Sequence, residues 1–283
     1  MYSTGLAFAD INGDGFDDVV VSSGNDQGLQ PLAVYENNKQ GEFSLRPSWM
    51  SDDLDSNTGL AVGDINGDGW IDVAVSVIGE QLGAGRVKVY LNNQGQLEGS
   101  PSFESADHFS SFACALGDAD GDGRLDLAVS ILFEGDSRGG FQRIYFNRPN
   151  EKGEWMLERE PGWRSSDSMV GGGLMFADMD GDGFLDLIVG AAQTRIYSGG
   201  LDGAGRTRIA REPSWMSQQG PDVGGVDVGP LGREKMRGLV LARNERFCAQ
   251  SSGCGPAQFR PTFPSREPSL CGTHKRSGSG ALG

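Results

Sequence analysis

Four segments of this chain share one acidic pattern: Asp10-Ile-Asn-Gly-Asp-Gly-Phe-Asp-Asp18, Asp64-Ile-Asn-Gly-Asp-Gly-Trp-Ile-Asp72, Asp118-Ala-Asp-Gly-Asp-Gly-Arg-Leu-Asp126 and Asp178-Met-Asp-Gly-Asp-Gly-Phe-Leu-Asp186. Positions 1, 3, 5 and 9 carry a side-chain oxygen in every copy. These are Asp10, Asn12, Asp14 and Asp18; Asp64, Asn66, Asp68 and Asp72; Asp118, Asp120, Asp122 and Asp126; Asp178, Asp180, Asp182 and Asp186. Carboxylates this dense repel one another unless a cation lies among them. Oxygen-only donors on a flexible loop suit a hard ion, and Ca²⁺ better than Mg²⁺. Position 7 holds Phe16, Trp70, Arg124 or Phe184, so the ligand expected there is the backbone carbonyl, whatever the side chain. Glycines at positions 4 and 6 let the backbone fold back where a β-carbon would clash. With one water the count reaches about six or seven oxygens, which is what Ca²⁺ prefers. The expectation is four Ca²⁺ ions, one per loop.

Two other readings of the loop compete. An EF-hand shares the opening but needs a bidentate Glu at position 12 between two helices. Position 12 here is Val21, Val75, Val129 or Val189, inside short β-branched runs that read as strands buried on both faces. Asp, Asn and Gly also build metal-free turns. Four copies in one ligand phase argue against that.

The loop belongs to a larger unit, because the copies start 54, 54 and 60 residues apart. A small apolar segment precedes each loop (5–9, 59–63, 112–117, 173–177), and a valine-rich run follows it. A third strand then ends in tyrosine: Tyr35, Tyr90, Tyr145 or Tyr197. A Pro-x-aromatic-x-Ser signature closes each unit: Pro47/Trp49/Ser51, Pro101/Phe103/Ser105, Pro161/Trp163/Ser165, Pro213/Trp215/Ser217, and a fifth at Pro261/Phe263/Ser265. The fifth unit aligns through Val226–Leu241, but its ligand positions fall on Pro230, Gly232, Glu234 and Gly238, so no calcium is expected there. Four short strands per unit of about 50 residues, without helical periodicity, are the sequence form of a β-propeller blade. The predicted fold is all-β, a propeller of about five four-stranded blades over 1–51, 52–105, 106–165, 166–217 and 218–265, with a basic Gly/Ser-rich tail at 266–283. The signature aromatics are expected to pack between blades, and the proline suits an edge strand.

The D-x-[DN]-G-D-G-x-x-D loop between a small-residue strand and a valine-rich strand resembles the FG-GAP repeat, also described as VCBS-like, and the calcium-loop blades of integrin α-subunit propellers. The resemblance covers residues 5 to about 243, with a weaker extension to 265. It implies Ca²⁺ in the hairpin loops on one face of the propeller, held by Asp10, Asn12, Asp14, Asp18 and their equivalents. Family propellers usually have about seven blades, and five are counted here, the fifth without a site. The chain therefore reads as a fragment, a partial product or a five-blade closure.

Charge narrows the partners. The net charge is −15, with 32 acidic against 12 basic side chains in residues 1–200 and 7 against 12 in 201–283. The four loops supply 14 carboxylates at ligand positions, and four Ca²⁺ would offset 8 charges. An acidic body disfavours nucleic acid. No run has membrane-spanning length, and no signal peptide is visible at Met1. Calcium loops of modest affinity suit an extracellular, periplasmic or cell-surface setting.

Cys114, in an apolar strand, reads as a buried free thiol. Cys248 and Cys254 could pair in an oxidising compartment, leaving Cys271 odd. With His274 the three miss the usual zinc spacing. Two histidines, no Gly-x-Ser-x-Gly elbow and no phosphate loop leave little catalytic machinery. The expected function is a non-catalytic binding or adhesion module for a protein or glycan. The alternatives are a polysaccharide lyase or hydrolase-associated propeller, with His108 as its candidate base, and a structural repeat of a larger surface protein. His108 otherwise reads as a solvent-facing loop residue.

Overall fold

The computed structural model describes residues 3–24, 28–79, 81–150, 153, 155–220, 223–231, 236–243 and 246–251. Every described element is a strand, and every sheet is built on antiparallel neighbours. The first sheet is β1 (Ser3–Ala9), β2 (Asp18–Ser23), β3 (Ala33–Tyr35) and β4 (Trp49–Met50), in that spatial order. The second repeats it with β5 (Asn57–Gly63), β6 (Asp72–Val77), β7 (Val87–Tyr90) and β8 (Phe103–Glu104).

The third unit adds two hairpins. Its blade is β9 (Ser110–Gly117), β10 (Asp126–Glu134), β12 (Gly140–Tyr145) and β15 (Trp163–Met169). The additions are β11 (Ser137–Arg138) on β10 and a separate ribbon of β13 (Asn147–Pro149) with β14 (Trp155–Leu157). The fourth blade is β16 (Leu174–Ala177), β17 (Asp186–Val189), β18 (Arg195–Tyr197) and β21 (Trp215–Met216), with a ribbon of β19 (Gly199–Leu201) and β20 (Thr207–Ile209). A fifth sheet holds β22 (Val223–Leu231), β23 (Met236–Arg243) and β24 (Arg246–Ser251).

The first strands β1, β5, β9, β16 and β22 pack against one another in chain order, and the sheets fan out from them. That is the arrangement of propeller blades. Small residues make the approach possible: a β-carbon on Gly59 would lie 2.8 Å from the Ala113 Cα. The second strands β6, β10 and β17 each face two neighbours in alternation, as a period of two requires. Val73 and Val75 pack back onto Val20, Leu32 and Val34, whereas Ala74 packs forward with Leu127 and Val129. Full burial of each such valine or leucine is worth about 1.5–3 kcal/mol.

The signature aromatics lie at these junctions. Trp49 meets Tyr90 edge-on at 6.0 Å between centroids, Phe103 meets Tyr145 at 6.5 Å and Trp163 meets Tyr197 at 5.5 Å. An acid just beyond each of these three signatures clasps the same tyrosine. Asp53 accepts from the Tyr90 hydroxyl (2.7 Å) and from Lys88 (2.6 Å). Asp107 takes the Tyr145 hydroxyl (2.6 Å) and pairs with Arg143 (3.3 Å), and Asp167 takes the Tyr197 hydroxyl (2.7 Å) and pairs with Arg195.

Cys114 is a buried free cysteine, and His108 is exposed. Glu234, residues 252–283 and the side chain of Cys248 lie outside what is described. With them go the fifth signature, the disulfide and zinc readings, and the tail.

Candidate metal centre

All four acidic loops occupy the same place, the connection from the first to the second strand of a blade. The first aspartate organises each one. Asp64 Oδ1 accepts the N–H groups of Gly67 (2.7 Å) and Asp68 (3.0 Å), and its Oδ2 accepts Gly69 (2.9 Å). Asp118 repeats this with Gly121, Asp122 and Gly123. Asp10 bonds Asp14 and Gly15, and Asp178 bonds Gly181 and Gly183. The fifth-position aspartate accepts the N–H of position 7, from Phe16, Trp70, Arg124 or Phe184, at 2.9–3.0 Å in each copy. The position-4 and position-6 glycines all have φ between +71° and +93°, where a β-carbon is strained.

The ninth aspartate is the buried anchor. Asp18, Asp72 and Asp126 are fully buried. Each of the four ninth-position carboxylates accepts the N–H of loop position 2 on one oxygen. The other oxygen takes an N–H from just beyond the third strand: Asn37 (2.9 Å), Asn92 (2.8 Å), Asn147 (2.8 Å) or Gly199 (2.9 Å). Burial outweighs these bonds and pushes the Asp126 carboxyl up to about 7 and that of Asp72 to about 6. Asp18 and Asp186 are raised for the same reason. A divalent ion beside such a group reverses that cost by favouring its ionised form.

One carboxylate oxygen each from Asp118, Asp120 and Asp126 falls within a 4.8 Å cluster, and so do oxygens of Asp178, Asp180 and Asp182. In the third loop Asp120 Oδ1 is buried without a hydrogen-bond partner. Convergent hard oxygens, with an unsatisfied oxygen on one of the same carboxylates, fit a divalent cation of the calcium type. In loops 1 and 2 an asparagine oxygen stands at position 3, and Asn12 and Asn66 each accept the Asp14 or Asp68 N–H at 2.9–3.0 Å.

Sequence reasoning missed the basic groups that lean on these cages. Arg148 pairs with Asp120 and with Asp122 (2.9 Å), and Lys39 approaches Asp14 at 3.4 Å. It also missed the asparagines beyond the third strand. Their signal was present as Tyr-x-Asn in three repeats: Tyr35/Asn37, Tyr90/Asn92 and Tyr145/Asn147.

Comparison with known families decides the lineage. A model described as an FG-GAP-like repeat matches residues 10–75 and 76–129, and the FG-GAP repeat model matches 170–209. The chain belongs to the FG-GAP repeat family. Integrin alpha-V of Gallus gallus is 29% identical over 203 residues, covering 66% of this chain and 19% of that protein. Integrin alpha-7 of Homo sapiens is 37% identical over 146 residues, 47% of this chain and 12% of its own length. Phosphatidylinositol-glycan-specific phospholipase D of Mus musculus is 31% identical over 189 residues, 55% of this chain and 21% of its length. The chain thus spans about a fifth or less of each of these relatives. Among solved structures, the Dos1 propeller aligns with a TM-score of 0.49 at 9% identity, covering 88% of this chain and 56% of its own. The propeller fold of this FG-GAP chain rests on its own sheets and junctions. Among the described residues, no helix is long and apolar enough to cross a membrane.

Proposed function

We infer that this FG-GAP chain is a non-catalytic binding module whose blades are stiffened by Ca²⁺, and that its partner is a protein or glycan. The observation that carries the reading is the same cage at the same strand connection in four consecutive blades, with donors that are oxygens only. The proposed ligands are the side chains of Asp10, Asn12, Asp14 and Asp18, the Phe16 carbonyl, and the equivalents in the next three loops: Asp64, Asn66, Asp68, Trp70 and Asp72; Asp118, Asp120, Asp122, Arg124 and Asp126; Asp178, Asp180, Asp182, Phe184 and Asp186. Four ions are expected, and none in the fifth unit. Blade boundaries are placed near residues 51, 105, 165 and 217.

The similarity to integrin alpha chains supports a protein partner, and the need for abundant calcium supports an extracellular setting. The similarity to phosphatidylinositol-glycan-specific phospholipase D favours a second reading, in which the propeller is an accessory module of a larger enzyme. Calorimetric titration of chelator-treated protein with Ca²⁺ tests the cage, with about four equivalents expected. A glycan array and a uronide-cleavage assay on one preparation then separate binder from lyase. Turnover that survives in a purified preparation would remove the non-catalytic reading.

A further inference from the structure

Neighbouring cages are wired together by one residue type. Asn92, 1% exposed, donates its backbone N–H to Asp72 of its own loop (2.8 Å). Its side-chain amide donates to the Ile71 carbonyl of that loop (3.0 Å) and to the Ile11 carbonyl of the preceding blade's loop (2.8 Å). The N–H of Ile11 in turn binds Asp18 (3.2 Å). A single buried asparagine therefore links the ninth aspartates of loops 1 and 2. Asn147 repeats the pattern one junction on. It bonds Asp126 (2.8 Å), the Leu125 carbonyl (3.3 Å) and the Ile65 carbonyl (2.6 Å), and the Ile65 N–H binds Asp72 (2.8 Å).

A second contact runs the same way. The Trp70 ring of loop 2 covers Gly13 of loop 1, where a β-carbon would lie 2.6 Å from it, and the Arg124 guanidinium of loop 3 covers Gly67 of loop 2. At the next junction both links are missing. The residue equivalent to Asn92 is Gly199, which keeps the backbone bond to Asp186 but has no side-chain amide to reach loop 3. Gly121 of loop 3 is met by Thr207 instead of the position-7 residue Phe184.

We propose that Asn92 and Asn147 are positioning residues that couple cation binding across loops 1, 2 and 3, leaving loop 4 independent. The proposal rests on the reading of the loops as cation sites. Filling loop 2 fixes Asp72, which fixes Asn92, the Ile11 peptide and Asp18. Loop 1 is then already ordered when its ion arrives, which is positive cooperativity by preorganisation.

The test is a Ca²⁺ titration of the whole chain followed by NMR. Each loop is read from the amide of its second glycine, Gly15, Gly69, Gly123 or Gly183, which bonds the first aspartate of the loop. Disabling loop 2 with Asp64→Asn is expected to weaken loops 1 and 3 by about three- to tenfold, the worth of one hydrogen bond. Disabling loop 4 with Asp178→Asn is expected to leave loops 1–3 unchanged. In an Asn92→Ala background, the effect of Asp64→Asn on loop 1 should shrink, while its effect on loop 3 stays the same.

A purely structural asparagine would lower the melting temperature in chelator and leave that cross-effect intact, which would overturn the proposal. Four independent sites in the wild-type chain would overturn the coupling and leave the cation reading standing. No uptake at millimolar Ca²⁺ would remove both.

Discussion

Replacing Asp126 by Asn at pH 8 should change sign with calcium. Asp126 is fully buried, and its carboxyl, pushed up to about 7 by burial, is largely ionised at that pH. Its oxygens lie within 4.8 Å of oxygens of Asp118 and Asp120. Two like charges at that separation repel by about 3 kcal/mol at an effective dielectric constant near 20. Arg148 partly neutralises Asp120, so the repulsion from Asp118 is the main one relieved by an amide. Against this, the carboxylate accepts the N–H groups of Ala119 (2.9 Å) and Asn147 (2.8 Å). An amide has one oxygen for two donors, and an orphaned N–H costs about 1–3 kcal/mol.

In chelator, then, Asp126→Asn is expected to be neutral to mildly stabilising, by up to about 2 kcal/mol. In Ca²⁺ at a hundredfold over its dissociation constant, the wild type gains about 2.7 kcal/mol from that site, which the variant forfeits. Urea melts of both proteins in both conditions give the four numbers needed. Equal effects of the substitution with and without Ca²⁺ would refute the claim that this cage holds the ion.

Four further outcomes follow from the junctions and turns. Burial raises the Asp53 carboxyl, but the bonds from Lys88 and Tyr90 win and hold it below its ordinary value, so its contribution is present above about pH 4 and lost as pH falls through the lowered value. Asp53→Asn should flatten the acid limb of a stability–pH curve below about pH 4, and an unchanged limb would refute the clasp. Gly15→Ala meets open space at φ +89° and should cost about 1–2 kcal/mol in strain alone. Gly13→Ala carries the same strain and must also displace the Trp70 ring, so denaturant melts should show a larger loss with altered tryptophan fluorescence. Tyr197→Phe removes a hydroxyl bonded to Asp167 at 2.7 Å inside a fully buried ring contact and should cost about 1–2 kcal/mol, measurable in the same melts.

The fold was legible because its signals are local and repeated. Valine-rich runs such as Asp72–Val77 alternate between two neighbouring cores, and the Pro-x-aromatic-x-Ser signature marks the strand that meets the next tyrosine. The added ribbon in the third unit could have been foreseen from its 60-residue spacing to the fourth loop, six longer than the others. The links between cages were not legible. Asn92 stands 81 residues from Ile11, and nothing in a Tyr-x-Asn tripeptide says which carbonyl its amide will meet. Lys39 and Arg148 lack a repeated position and so left no pattern to read.

The fifth unit separates what the acidic loops do from what the strands do. In the four cage blades the first and second strands stop pairing at a residue such as Ala9 opposite Asp18, and the loop departs there. In the fifth sheet the ladder passes the equivalent pair, Gly229 opposite Gly238, and continues through Pro230–Arg237 and Leu231–Met236. Without aspartates at the ligand positions, the fifth unit pairs its strands two residues further than the cage blades do. In the cage blades the ladder instead stops at the pair opposite the ninth aspartate, where the first-aspartate and ninth-aspartate hydrogen bonds fix the loop, and the proposed divalent ion would offset the repulsion among its carboxylates.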